Sequence, residues 1–319
     1  MRLVVVSQLD FDNRLPWQVL APPVEKQLAS HPGATIVRPP RLRRPTFRAH
    51  APAWLSALRE IRRADALFWF QMSSRPATPI WALTYARPTA RRSAWVIDSW
   101  APSIRKIGAL ARAQRMSPLF VGFRQSQMAL RTAFPRLDVR WLPFAANTGI
   151  FHERPVDRDI FAYWMGRRSA GLEHALEAYC AERGLELRTD RASGDALGNL
   201  VSRARYFVVT PPDVDDPVRT GGFSPLTSRY FEGLAGGARL LGQLPSSGEY
   251  QELLPLDAIL QVPATGEGLA AELDRDAAQL TAAREAVSRA QATVAERHTW
   301  TQRADQIYEA LASPIPGRV

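Results

Sequence analysis

Arg229 and Glu232 are three residues apart in the most informative stretch of the chain, residues 223–242. A guanidinium at a helix start can bind a phosphate, and a carboxylate one turn further on can bind a ribose diol. Thr227 and Ser228, just upstream, are small and polar. A helix beginning there would turn free backbone N–H groups and its positive dipole end towards an anion such as a diphosphate. A second candidate is Gly166-Arg167-Arg168. A glycine after a strand lets backbone approach a ligand, and an arginine beside it can grip a diphosphate through two parallel hydrogen bonds. A third is Asp98, after an apolar run, suited to be a general base or a hydrogen-bonding anchor for a hydroxyl group. Each has a plainer reading: a buried αβ unit with incidental polar residues for 223–242, and an N-cap or turn for Asp98.

The elements that must position these residues are legible from spacing. In 223–242, Pro225 suits the first turn of a helix. Leu226, Tyr230, Phe231, Leu234 and Ala235 form one apolar stripe, Gly236-Gly237 ends the helix, and 238–241 reads as a short strand. The first half alternates strands (3–6, 34–37, 66–71, 94–97, 119–123, 139–142) with helices (17–30, 53–64, 79–85, 104–116, 125–134). The second half restarts with strands at 161–165, 186–188, 206–210 and 258–262 and helices at 172–182, 197–204 and 249–254. A charged helical stretch covers 266–295 as one helix or two, and a last helix covers 301–311. Repeated βα alternation with short connections predicts open, mostly parallel sheets, whose ligands sit beyond the carboxyl ends of the strands. That rule also marks Asp10 and Asp12 after the first strand, and Arg124, Gln125 and Ser126 after the fifth. The acids of 211–217, flanked by prolines, read as a loop, and His174 and His298 read as structural.

The 229–237 stretch resembles the nucleotide-binding segment of GT-B glycosyltransferases, the family 4 or group 1-like donor domain. The R-x-F-E-x-L-A-x-G pattern is carried by Arg229, Phe231, Glu232, Leu234, Ala235 and Gly237. Many retaining members have a further Glu eight residues before the ribose Glu; this chain has Ser224 there. Residues 141–151, through Leu142-Pro143, Asn147 and Phe151, resemble the interdomain segment, and 296–300 resembles the bend before the final helix. The resemblance implies an α/β GT-B fold with two Rossmann-like domains facing each other across a cleft. Residues 1–150 with the helix 301–312 would form the acceptor domain, onto which the last helix crosses back. Residues 151–300 would form the donor domain.

The same resemblance implies a metal-independent, hexosyltransferase-like enzyme that needs no cofactor. It would move a sugar from a nucleotide-diphosphate sugar to the hydroxyl of a small-molecule, glycan or lipid-linked acceptor. Gly166, Arg168, Thr227, Ser228, Arg229 and Glu232 would bind the donor: Glu232 the ribose, Thr227 and Ser228 the phosphates through their amides, the arginines the diphosphate. Asp98, on the acceptor side, and Arg168, against the leaving group, are the catalytic candidates. Ser224 keeps a non-catalytic sugar-nucleotide scaffold open as the alternative.

Composition narrows the classes. The 319 residues are 46% hydrophobic and 23% charged, enough for two domains with cores of their own. No apolar run reaches the roughly 20 residues of a membrane-spanning helix. The polar turn soon after Met1 predicts no secretory leader, and Cys180 as the sole cysteine excludes a disulfide framework, so a cytoplasmic protein is expected. The net charge of +10 is nearly all arginine, since lysine occurs only at 26 and 106. Its densest cluster, Arg38, Arg41, Arg43, Arg44 and Arg48, reads as a solvated or acceptor-facing loop. It is compatible with peripheral contact with an anionic membrane. The chain lacks the aromatic-basic interleaving of a nucleic-acid module, leaving such binding as the third reading.

Overall fold

The computed structural model of this chain describes residues 1–7, 21–38, 47–73 and 86–313. Asp10 and Asp12, the side chains of Arg41, Arg43, Arg44 and Arg48, the helix expected at 79–85, and residues 17–20 and 314–319 lie outside that description. The chain divides into two compact units. One is Met1–Pro143 together with the segment from Trp300, and the other is Phe144–Thr299.

The first unit is built on six strands: β1 Leu3–Val6, β2 Ala34–Val37, β3 Ala66–Ser73, β4 Arg91–Asp98, β5 Met116–Val121 and β6 Val139–Trp141. All pairings are parallel, in the order β2-β1-β3-β4-β5-β6. Leu3 to Val6 and Leu67 to Phe70 are buried without alternation, as strands covered on both faces must be. Helices Ala21–Ser30, Phe47–Arg63, Ile104–Ala113 and Arg124–Ala133 connect the strands.

The last helix, Trp300–Ala312, belongs to this unit, as the expected return of the chain requires. Trp300 packs 5.5 Å from Trp95, and His31 stacks on Tyr308 at 3.8 Å. Asp305 accepts from Gln27 Nε2 at 3.0 Å. Buried Arg303 donates from Nε to the Pro143 carbonyl at 2.9 Å, and burial pushes its pKa down to about 10.

The second unit carries β7 Ile160–Tyr163, β8 Leu187–Arg188, β9 Ala204–Val209, β10 Arg239–Gly242 and β11 Ile259–Gln261. The order is β11-β10-β9-β7-β8, again all parallel. Asn147 shapes the turn near its start: its Oδ1 accepts from Gly149 N at 3.1 Å, its carbonyl accepts from Phe151 N at 2.8 Å, and Phe151 is buried. Ala146 N donates to the His298 carbonyl at 2.9 Å, so the entry and exit of this unit run side by side. No helix among the described residues is long and apolar enough to cross a membrane.

Four expectations need correction. Asp98 does not follow its strand but closes it, because pairing with β3 continues to Ser73 opposite Asp98. The helix expected at 104–116 ends at Ala113, and Met116 already opens β5. The 211–217 segment is not a plain loop; Pro212–Asp215 and Pro217–Thr220 are helical turns, the second capped by Asp216 accepting from Arg219 N at 3.1 Å. Pro225 does not sit in the first turn of its helix, which begins at Ser228 with Thr227 as N-cap. The physical reason is that the turn before it is tied elsewhere: Leu226 N donates to Glu249. The 266–295 stretch resolves into two helices, Leu269–Ala278 and Leu280–Arg297, parted at Gln279 (φ −112°, ψ 31°).

Candidate functional site

In the second unit the chain leaves β7 for β8 on one side, while β9 lies on the other. That reversal of strand order opens a crevice beyond the carboxyl ends of β7 and β9, where open parallel sheets bind ligands. The loop after β7 carries Gly166, Arg167 and Arg168. The chain after β9 runs through the two helical turns into Thr227 and the Ser228–Ala235 helix. Gly166, Arg168, Thr227, Ser228, Arg229 and Glu232 are therefore carried by the two segments that leave β7 and β9.

The Ser228–Ala235 helix is held by its apolar face. Tyr230, Phe231 and Leu234 are fully buried, and Tyr230 Oη donates to the Gln243 carbonyl at 2.7 Å. A Cβ on Gly233 would lie 2.7 Å from both Leu240 Cδ2 and Phe207 Cδ1, so glycine lets the helix sit close on β9 and β10. The left-handed turn that ends it is at Gly237 (φ +74°), while Gly236 keeps φ −76°. At its start Thr227 is extended (φ −93°, ψ 170°) and its side chain caps nothing. The Tyr230 amide donates to the Thr227 carbonyl at 3.3 Å; the helix amides before it have no carbonyl four residues back and face the end where an anion can be met.

Arg229 and Glu232 meet: Nη1 lies 2.9 Å from Glu232 Oε2. Glu232 is only 5% exposed, so the pair fixes a carboxylate that solvent barely reaches. Tyr163, the last residue of β7, donates through its hydroxyl to the Asp190 carbonyl at 3.1 Å. Burial, reinforced by Asp190, pushes its pKa up to about 12, while Arg229 and Arg188 pull the other way. Arg229 thus acts on the end of β7 as well as on its own helix.

After β7, Gly166 takes φ +115°, a conformation open to glycine, with nothing within 4 Å of where a Cβ would be. Buried Trp164 donates from Nε1 to the Arg167 carbonyl at 2.8 Å and shapes this loop. Arg167 reaches Asp215 at 3.4 Å, linking the two segments that frame the crevice. Arg168 is engaged inside the unit: it pairs with Glu173 and donates from Nη2 to the Thr189 carbonyl at 2.9 Å. A diphosphate would have to share its guanidinium with these partners.

Sequence reasoning missed Glu249. It is 1% exposed, and its Oε2 accepts from Leu226 N at 2.6 Å. Its only signal was an acid directly behind Gly248, at a helix start. Ser224, eight residues before Glu232, is also buried; its Oγ accepts from Ser246 N at 3.1 Å and its carbonyl from Ser247 N at 3.3 Å.

Asp98 belongs to the other unit, at the carboxyl end of β4. Next to it, buried Ser99 donates to Ser126 Oγ at 2.9 Å, and Ser126 donates to the Ser99 carbonyl. Arg124 lies 4.2 Å over the Trp141 ring. Arg124 and Ser126 therefore brace the ends of β4, β5 and β6. Sequence reasoning also missed Glu25 there. It is 1% exposed, accepts from Ser7 Oγ at 2.6 Å, and its buried Oε1 has no partner among the described residues. Burial raises its pKa to about 7 against the pull of Ser7 and Arg38.

Residues 168–309 match the family model described as Glycosyl transferase-like. No curated protein sequence matches the chain. Among solved structures, sucrose-phosphate synthase from Thermosynechococcus elongatus is similar over 96% of this chain and 97% of its own, with TM-score 0.60 and 12% identity. Anabaena Alr3699/HepE in complex with UDP and glucose is similar over 98% and 100%, with TM-score 0.61 and 13% identity. AviGT4, a glycosyltransferase involved in avilamycin A biosynthesis, is similar over 97% and 96%, with TM-score 0.57 and 14% identity. With its two parallel sheets, its returning last helix and these likenesses, the chain has the GT-B glycosyltransferase fold, and its residues 168–309 carry the glycosyl transferase-like sequence pattern.

Proposed function

We propose that the protein transfers a hexosyl group from a nucleotide-diphosphate sugar to an acceptor hydroxyl. The observation that carries this reading is the buried Glu232, paired to Arg229 at 2.9 Å one turn inside the helix that the chain enters after leaving β9. A carboxylate held this way accepts hydrogen bonds from the two ribose hydroxyls. The amides at Thr227 and Ser228 and the charge of Arg229 meet the diphosphate. Their pull is strongest as the leaving diphosphate gains charge, so they favour the transition state over the ground state. Helix dipole and arginine supply this stabilisation, and the transfer needs no metal. The UDP and glucose bound by the similar HepE structure support a donor of this class. Asp98 serves the acceptor side, and a reducing, cytoplasmic compartment agrees with the single buried Cys180.

The test is donor turnover. Full-length protein is incubated with UDP-, GDP-, ADP- and dTDP-linked hexoses, with and without EDTA, and release of the nucleoside diphosphate is measured. Release from one donor class, unchanged by EDTA, is expected. Ser224, buried where many relatives carry a Glu, favours the second reading, a non-catalytic sugar-nucleotide scaffold. Tight diphosphate binding without any release, over a broad acceptor panel, would select it.

A further inference from the structure

The turn that precedes the Ser228–Ala235 helix does not stand alone. Three hydrogen bonds tie residues 224–226 to the loop that leaves β10. Leu226 N donates to Glu249 Oε2 at 2.6 Å, Ser246 N donates to Ser224 Oγ at 3.1 Å, and Ser247 N donates to the Ser224 carbonyl at 3.3 Å. Ser224, Leu226 and Glu249 are 1–2% exposed; the Leu226–Glu249 bond is buried, while Ser246 donates from the exposed side of the loop. Glu249 N is 3.4 Å from Ser247 Oγ, which closes the loop on itself. Tyr230 Oη donates to the Gln243 carbonyl, and Gln243 Nε2 donates to the Val262 carbonyl at 3.0 Å, so the first residue of the loop is anchored as well.

A hydrogen bond from a backbone amide to a carboxylate is among the stronger ones, and inside a protein it fixes direction as well as distance. With the Leu226 amide committed to Glu249, the plane of the Pro225–Leu226 peptide is fixed at the entry to Thr227. Thr227 is then held extended, and the amides that follow stay pointed out of the helix start instead of folding back into an earlier helical turn.

We propose that Glu249 and Ser224 form a buried clasp that positions the diphosphate-binding turn, with Glu249 a positioning residue for the donor phosphates and not a ligand of them. This rests on the donor reading above. It also accounts for Ser224, which stands at the place of the family's missing acid and holds the β10 loop to the turn.

The experiment has two arms on the full chain. The first measures hydrogen–deuterium exchange over residues 223–228 in the free protein. Glu249→Ala is expected to raise exchange there while the strands of the second unit keep their protection. Unchanged exchange at 223–228 would overturn the clasp, whatever the protein binds. The second arm titrates UDP, GDP, ADP and dTDP against the matching nucleosides. Glu249→Ala is expected to weaken the preferred diphosphate about tenfold, the loss of one charge-assisted hydrogen bond, and to leave the nucleoside within about twofold. Glu249→Gln, which keeps an oxygen for the Leu226 amide, is expected to restore diphosphate affinity to within about threefold. Equal losses for diphosphate and nucleoside, or no rescue by glutamine, would overturn the positioning role. If Glu249→Ala does not fold, Ser224→Ala replaces it, with the same selective loss expected at about threefold. A wild-type protein that binds no diphosphate, yet shows the exchange change, would overturn the donor reading and the ligand role while leaving the clasp in place.

Discussion

Replacing Glu25 by glutamine changes one atom in a closed environment. The side chain is 1% exposed, accepts from Ser7 Oγ at 2.6 Å, and has a second oxygen with no partner among the described residues. Burial raises the carboxyl from 4.5 to about 7. The unfolded chain releases this proton near 4.5, whereas the folded chain keeps it until about 7. Stability from this group is therefore fully present below about 4.5, falls as pH rises between the two values, and levels off above 7. A shift of about 2.5 units, at 1.36 kcal/mol per unit, makes the fall about 3 kcal/mol. Glutamine keeps the shape and an oxygen for Ser7 but cannot ionise. For a unit of roughly 150–250 residues, ~1 kcal/mol moves the midpoint by about 2–4 °C, so the gap between variant and wild type should widen by roughly 6–12 °C between pH 4.5 and pH 8. The assay is thermal unfolding followed by tryptophan fluorescence, since among the described residues every tryptophan except Trp164 belongs to the first unit. A gap that stays constant across this range, or a variant that loses stability relative to wild type as pH rises, would refute the reasoning.

Two further substitutions test packing. Gly233→Ala adds a methyl 2.7 Å from Leu240 and Phe207, and the overpacking should exceed the gain in helix propensity, lowering stability by about 1–2 kcal/mol in denaturant unfolding. An unchanged or higher midpoint would mean that the helix can move off β9. Arg303→Ala removes the donor to the Pro143 carbonyl and a buried stem from the last helix, and should cost about 3 kcal/mol in the unfolding of the first unit, with the second unit unaffected. A loss below about 1 kcal/mol would show that the last helix does not depend on that anchor.

The parts of the fold governed by local periodicity were legible in the sequence. Apolar runs such as Leu3 to Val6 and Phe207 to Val209 read as covered strands of βα units, and both are parallel and buried. The Arg229–Glu232 spacing put both side chains on one helix face, and they pair there. What the sequence did not disclose depended on residues distant along the chain. The helix start moved from Pro225 to Ser228 because Glu249, 23 positions after Leu226, takes its amide. Arg168 looked like an unengaged diphosphate ligand because the Thr189 carbonyl, 21 residues on, approaches only once β7 and β8 pair; its other partner, Glu173, is local, in the first turn of the next helix. Asp98 shifted from loop to strand end because pairing with Ser73 extends β4 by one residue. Glu25 drew no notice in the sequence, because only the packing of its helix over the end of β1 buries it against Ser7.

The central claim is that Glu232 holds the ribose of a nucleotide-diphosphate donor. Calorimetric titration of UDP, GDP, ADP and dTDP into wild type and Glu232→Ala tests it most directly. One diphosphate should bind wild type, and its affinity should fall about tenfold or more in Glu232→Ala, the loss of hydrogen bonds from hydroxyls to a carboxylate, while inorganic pyrophosphate binds both proteins alike. Equal affinity of that diphosphate for the two proteins would contradict the assignment of Glu232, and no binding of any of the four to wild type would contradict the donor site itself.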